Sequence, residues 1–154
     1  MAKNLVWADE EYLHLDAGIR ELVKALHFLG VKTVMSCQGH IRTSCVYQGI
    51  LPWPWIIIAA NPRQMEALQK SLDSWNNANW RKKWILSVER IHGSFTPDYV
   101  EHMIEREFRG CQVRALVPRE ENNSLSHEIL AELQTHVPDL SRFLLGKEKH
   151  FENL

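Results

Sequence analysis

Apolar residues in this chain recur with two periods, and the switches between them mark the elements. Ile19, Leu22, Val23, Leu26 and Leu29 keep the i, i+3, i+4, i+7 spacing of one helical face, with Arg20, Glu21 and Lys24 off it. Asp16 stands where that helix would be N-capped, and Gly30 where a left-handed residue would end it. Val31, Thr33 and Val34 then favour an extended strand over 31–36. The run Trp55-Ile56-Ile57-Ile58-Ala59-Ala60 is apolar at every position, the mark of a strand covered on both faces. Pro52 and Pro54 resist both helix and central strand, which sets its start near Trp55. Asn61-Pro62-Arg63-Gln64 has the form of a capping box with proline in the first turn, opening a helix whose stripe is Met65, Leu68, Leu72 and Trp75.

Further on, Trp84, Leu86 and Val88 alternate with Ile85, Ser87 and Glu89 as in a half-buried strand. Thr96-Pro97-Asp98 opens a helix carrying Val100, Met103, Ile104 and Phe108, with Gly110 as its stop. Cys111, Val113, Ala115 and Val117 alternate up to Pro118 as another strand. Leu125, Ile129, Leu133 and Val137 form a last helix, which Pro138 is expected to interrupt before a further turn or two over Leu140, Phe143 and Leu144. No repeat, low-complexity tract or linker divides the chain. The pattern predicts an α+β fold, a single domain over 1–154 with a mixed sheet of about four strands flanked by helices. The 55–60 strand should be central and the 31–36 strand its antiparallel neighbour, since the loop between them shows no helix signal.

Composition narrows the classes. The chain has 154 residues, 45% of them hydrophobic and 24% charged, with a net charge of -1, as expected of an ordinary soluble protein. That charge gives no reason for strong non-specific attraction to nucleic acid or to an anionic membrane. There is no signal-peptide pattern and no apolar run near the roughly 20 residues of a membrane-spanning helix. With three cysteines, an odd number, the expectation is reduced thiols in a cytoplasmic protein with no membrane partner. Gly-x-Gly-x-x-Gly, Walker, His-Glu-x-x-His and Gly-x-Ser-x-Gly patterns are absent, which lowers several enzyme classes. Arg81-Lys82-Lys83 reads first as a solvated strand entrance, with phosphate contact as the alternative.

Reactive groups concentrate in Ser36-Cys37-Gln38-Gly39-His40, just past the predicted strand 31–36. A thiol followed by a glycine turn lies where backbone N–H groups can face an anion, which lowers a thiol's pKa or binds phosphate or carboxylate. His40 would serve as base or hydrogen-bond partner, so Cys37 and His40 are the catalytic candidates. Ser36, Gln38, Gly39, Tyr47 and His92 are the ligand-binding candidates, His92 on condition that the ends of the two predicted strands meet. Trp53 and Trp55 would stack on a base in the same place, although packing suits Trp55 better. The favoured reading is a site for a small anionic or nucleotide-like ligand. Three rivals use the same region. Cys37, His40 and Cys45 have spacing for a zinc module, with His92, His102 or Cys111 as fourth ligand. Cys37 could equally be a small buried hydrophobe. The protein could also be a non-catalytic interaction module exposing Trp7, Trp53 or segment 138–146.

The run from Leu29 to His40 resembles a motif of small bacterial and phage proteins that place Ser-Cys-Glu/Gln-Gly-His after a helix and a strand. Ser36-Cys37-Gln38-Gly39 is also similar to the Ser-Cys-x-Gly segment of the wybutosine-synthesis methyltransferase family, which modifies transfer RNA; there a Gly-Arg pair stands where Gly39-His40 stands here. What the resemblance implies is a prokaryotic setting, Cys37, Gly39 and His40 acting as a unit, and S-adenosylmethionine and RNA as candidate cofactor and partner.

Overall fold

The structure, a computed structural model, describes residues 9–39, 53–79, 82–88, 106, 108–119 and 127–154. The described elements are α1 (Asp9–Tyr12), α2 (Ala17–Phe28), β1 (Lys32–Cys37), β2 (Trp55–Ala60), α3 (Pro62–Ala78), β3 (Trp84–Ser87), β4 (Gln112–Pro118) and α4 (His127–Leu145), followed by a 3-10 turn at Glu148–Phe151. This is an α+β fold.

The four strands form one sheet in the order β1-β2-β4-β3. The expected centre is there: β2 has neighbours on both sides, and every one of its residues is buried. Among the described residues all three pairings are antiparallel, so the described sheet is not mixed as the pattern suggests. The reason lies in the β2–α3–β3 unit. A strand–helix–strand signal implies two strands running the same way, and β2 and β3 do so, but β4 lies between them and runs against both.

One face of the sheet carries the helices. Ile56, Ile58, Ala60, Leu116 and Trp84 form a buried cluster with the apolar stripes of α2, α3 and α4. On the other face Ile57, Ala115, Val117, Trp55 and Cys37 form a second cluster, joined by half-buried Val34, Met35, Trp53, Ile85 and Val113. The alternation of these two sets along β2 and β4 is the period of 2 that a sheet imposes.

Local signals explain the element ends. Asn61 accepts from Gln64 N–H at 2.8 Å while Gln64 Oε1 accepts from Asn61 N–H at 3.1 Å, the reciprocal box that the sequence implies. Gly30 takes φ 84 at the end of α2. Helix α4 departs from expectation, because it continues through Pro138. Proline removes the bond from residue 138 back to the carbonyl of residue 134. Burial of Leu140, Ser141 and Leu144 beyond it outweighs that loss, since each buried leucine contributes about 2 kcal/mol. The predicted helix over 97–108 lies outside the described residues, apart from Arg106 and Phe108.

Candidate functional site

Cys37 is the last residue of β1, 9% exposed, and its side chain lies on the sheet face away from the described helices, beside Trp55 and Ile57. Gly39, two residues on, has φ 89 and donates its N–H to Cys37 Sγ at 3.4 Å. The positive φ turns this N–H back toward the sulfur, a conformation that glycine adopts without steric cost. A thiolate accepts a hydrogen bond more strongly than a thiol, while burial of the sulfur opposes its charge.

Gln38, between them, points to the helix side and is held at three atoms. Its side-chain Oε1 accepts from Gly18 N–H at 2.8 Å, in the first turn of α2. Its backbone N–H donates to Asp16 Oδ2 at 3.1 Å. Its carbonyl accepts from Gln134 Nε2 of α4 at 3.0 Å. Asp16 occupies the N-cap position but makes no side-chain cap bond; Gln38 satisfies the helix N–H instead, and Asp16 spends its carboxylate on the turn. Gly18 is required by the close approach: a Cβ there would meet Gln38 Oε1 at 2.8 Å and Gln38 Cβ at 3.0 Å. Asp16, Gly18 and Gln134 were invisible as site residues in the sequence, because their partners lie 20 to 96 positions away.

Ser36 is half-buried in β1. His40, Cys45, Tyr47, His92 and His102 lie outside the described residues. Strand direction nonetheless bears on two expectations. β1 delivers Cys37 to the level of Trp55, whereas β3 runs the opposite way and sits at the other edge of the sheet. The exits of β1 and β3 therefore lie at opposite ends of the sheet, while His92 itself lies outside the described residues. Cys111 is likewise separated from Cys37. It precedes Gln112, which pairs with Ala60, while Cys37 pairs with Trp55; five strand residues between those levels span about 17 Å, far beyond two thiolates sharing one zinc. Cys111 is removed as a fourth ligand, and among the described residues no group of three or more His, Cys, Asp or Glu could hold a metal ion.

Trp55 is 5% exposed and packs in the second cluster, in line with its packing reading. Trp53 is half-buried against the same cluster, and in segment 138–146 the exposed large apolar side chain is Leu145. No described helix is long and apolar enough to cross a membrane. The basic run ends at the same end of the sheet as Cys37, because Trp84 pairs with Pro118 and Arg119 N–H donates to Lys83 O at 2.7 Å. Lys82, Lys83 and Arg119 thus stand on that rim, the lysines about 14 Å across three strand spacings from Cys37 and Arg119 about 10 Å across two.

Two buried histidines escaped the motif reading. His27 joins α2 to β1, with Nδ1 3.0 Å from Tyr12 OH and Nε2 2.7 Å from Thr33 Oγ1. Both partners are hydroxyls, so either neutral tautomer is satisfied. Burial pushes the imidazole down to about 4. His136 on α4 accepts at Nδ1 from Trp84 Nε1–H at 3.4 Å, and burial followed by the Lys82 charge lowers its pKa, against Glu132 and Asp139. Each falls on its helix's apolar stripe, four residues after Val23 and three after Leu133, and that spacing was the available signal.

Compared with models of protein families, with curated proteins and with solved structures, the chain matches none.

Proposed function

We propose that the exit of β1 binds a small anionic or nucleotide-like ligand, with Cys37 and His40 as its reactive pair and Ser36, Gln38 and Gly39 as the cradle. The observation that carries this reading is the Gly39 N–H donated to Cys37 Sγ from a turn at φ 89. A donor aimed at a thiol favours thiolate, and a thiolate is the nucleophilic form. Support also comes from the three-atom clamp on Gln38, which holds the turn in one geometry. Lys82, Lys83 and Arg119 add positive charge at the same end of the sheet.

The test is the reactivity of the Cys37 thiol. Cys37 should alkylate with an apparent pKa below the free-thiol reference of about 8.5. Gly39→Val, which cannot hold the turn, should move Cys37 back toward the reference. Thermal-shift screening against nucleotides, S-adenosylmethionine and transfer RNA then identifies the ligand class, with His40→Ala as the control. A Cys37 that titrates at the reference value, together with a His40→Ala variant that binds every ligand the parent binds, would refute the site. Metal analysis of protein purified without added zinc separates a zinc module, which would carry about one ion per chain.

A further inference from the structure

Helix α4 holds two distant parts of the sheet within one turn of its own length. Gln134 Nε2 donates to the carbonyl of Gln38, in the turn after β1. Two residues later, His136 accepts from the Trp84 indole at the start of β3, on the opposite edge. Because Nδ1 is the acceptor, the neutral ring carries its proton on Nε2, and Nε2 is buried without a hydrogen-bond partner among the described residues. A second proton would have to enter at Nδ1, where the Trp84 N–H already points. Two donors would then face each other, with a third donor still unmatched at Nε2, an arrangement that a buried site penalises.

Among the described residues, the charges bearing on the ring are those of Lys82, in the segment before β3, and of Glu132 and Asp139 on α4 itself. Lys82 opposes a second positive charge. Asp139 is already engaged by Arg142. From the α3 side the nearby groups are neutral: Trp75 Nε1–H donates to Lys82 O at 2.6 Å, and Asn76 bonds both N–H and carbonyl of Trp84. Trp84 is therefore fixed in place, and the ring rather than the indole must move.

We infer that His136 is an acid-sensitive latch: its protonation breaks the Trp84 bond, undocks the α4 turn that carries Gln134, and so releases the Gln38 clamp beside Cys37. The latch supplies regulation for the site proposed above and rests on that reading only for what release does to a ligand. Cys37 is 9% exposed with the clamp closed.

Amide exchange on the full chain tests the coupling. Protection of the Gln38 amide and of the Trp84 indole N–H is compared between about pH 7 and pH 5. In the parent both should fall together, by up to about tenfold for each pH unit below the ordinary imidazole value of 6.5, because the released ring takes a proton that the docked ring refuses. In His136→Gln, whose side-chain oxygen still accepts from Trp84 and does not titrate, both should stay flat. In Gln134→Ala, at a half-buried helix position that alanine suits, the Trp84 signal should still fall while Gln38 no longer follows it. Protection that falls equally in His136→Gln, or a Gln38 amide that tracks Trp84 in Gln134→Ala, overturns the latch. Alkylation of Cys37 in the same samples keeps the two readings apart: an inert thiol beside coupled exchange sinks the site and leaves the latch.

Discussion

Replacing Gly18 by alanine sets two effects of known sign against each other. Alanine in a helix is favoured over glycine by about 1 kcal/mol in mid-helix, and by less in the first turn, where Gly18 sits. Against that, the new Cβ would lie 2.8 Å from Gln38 Oε1 and 3.0 Å from Gln38 Cβ. Rotating the amide away would relieve the first contact and forfeit the 2.8 Å bond from Gly18 N–H, a loss of about 1 kcal/mol. It would not relieve the second, because Gln38 Cβ is fixed to a backbone held by Asp16 and Gln134. Shifting that backbone strains a bond to a charged acceptor, and overpacking of this kind costs about 1–3 kcal/mol. The balance is a net destabilisation of about 1–2 kcal/mol despite the better helix former. Urea unfolding of Gly18→Ala against the parent measures it, with an unchanged slope as the check that only stability moved. Gln38→Ala supplies the second arm. With the Gln38 amide gone, the same Gly18→Ala change should cost less by about 1 kcal/mol, a coupling readable from the double-mutant cycle. A stabilised Gly18→Ala, or an equal cost in the two backgrounds, would refute the clamp.

Three further outcomes are expected. Acid should unfold the protein partly through His27: its folded pKa of about 4 lies below the unfolded 6.5, so the neutral ring's contribution is whole above pH 6.5 and declines as pH falls toward 4. The full shift corresponds to about 3 kcal/mol, nearer 2 after solvent screening, and urea midpoints that stay level from pH 7 to 4 in the parent would contradict it. Asn61→Ala removes one half of the capping box and should cost about 1 kcal/mol in a thermal melt; Asn61→Asp, which keeps an acceptor, should recover most of it. Gly39→Val at φ 89 should cost about 1–3 kcal/mol, and Gly39→Ala less, with no difference between them counting against backbone strain.

What the sequence disclosed was local. The all-apolar Trp55–Ala60 run is recognisable because burial on both faces leaves no polar position. The box at Asn61 and Gln64 and the positive φ of Gly30 and Gly39 depend on neighbours within a few residues. Non-local geometry stayed hidden. Pro138 reads as a break until the core contacts of Leu140 and Leu144 are known. The β2–α3–β3 order reads as a parallel pair until β4 is found between the strands. In the candidate site, Cys37 and Gly39 were legible as a thiol and a turn. The clamp was not, since Gln38 has no reason to prefer Gly18 or Gln134 until the fold brings them together.

One irregularity in β1 decides which way the site faces. Thr33 pairs with Ile58 and Met35 with Ile57, so two steps along β1 match one step along β2, and Val34 is the extra residue. Thr33 faces the helices, where it meets His27, while Val34 and Met35 both join the second cluster. In a regular strand the period of 2 would return Cys37 to the side of Thr33 and turn Gln38 away from the helices. Gln38 would then miss Gly18 and Gln134, and the thiol would be buried under α2. The bulge inverts this, giving Cys37 to the face of Trp55 and Ile57 and Gln38 to the helix layer. Thiol and clamp thereby lie on opposite faces of one strand end. The helix layer can hold or release the turn from behind, and no described helix stands in front of the sulfur.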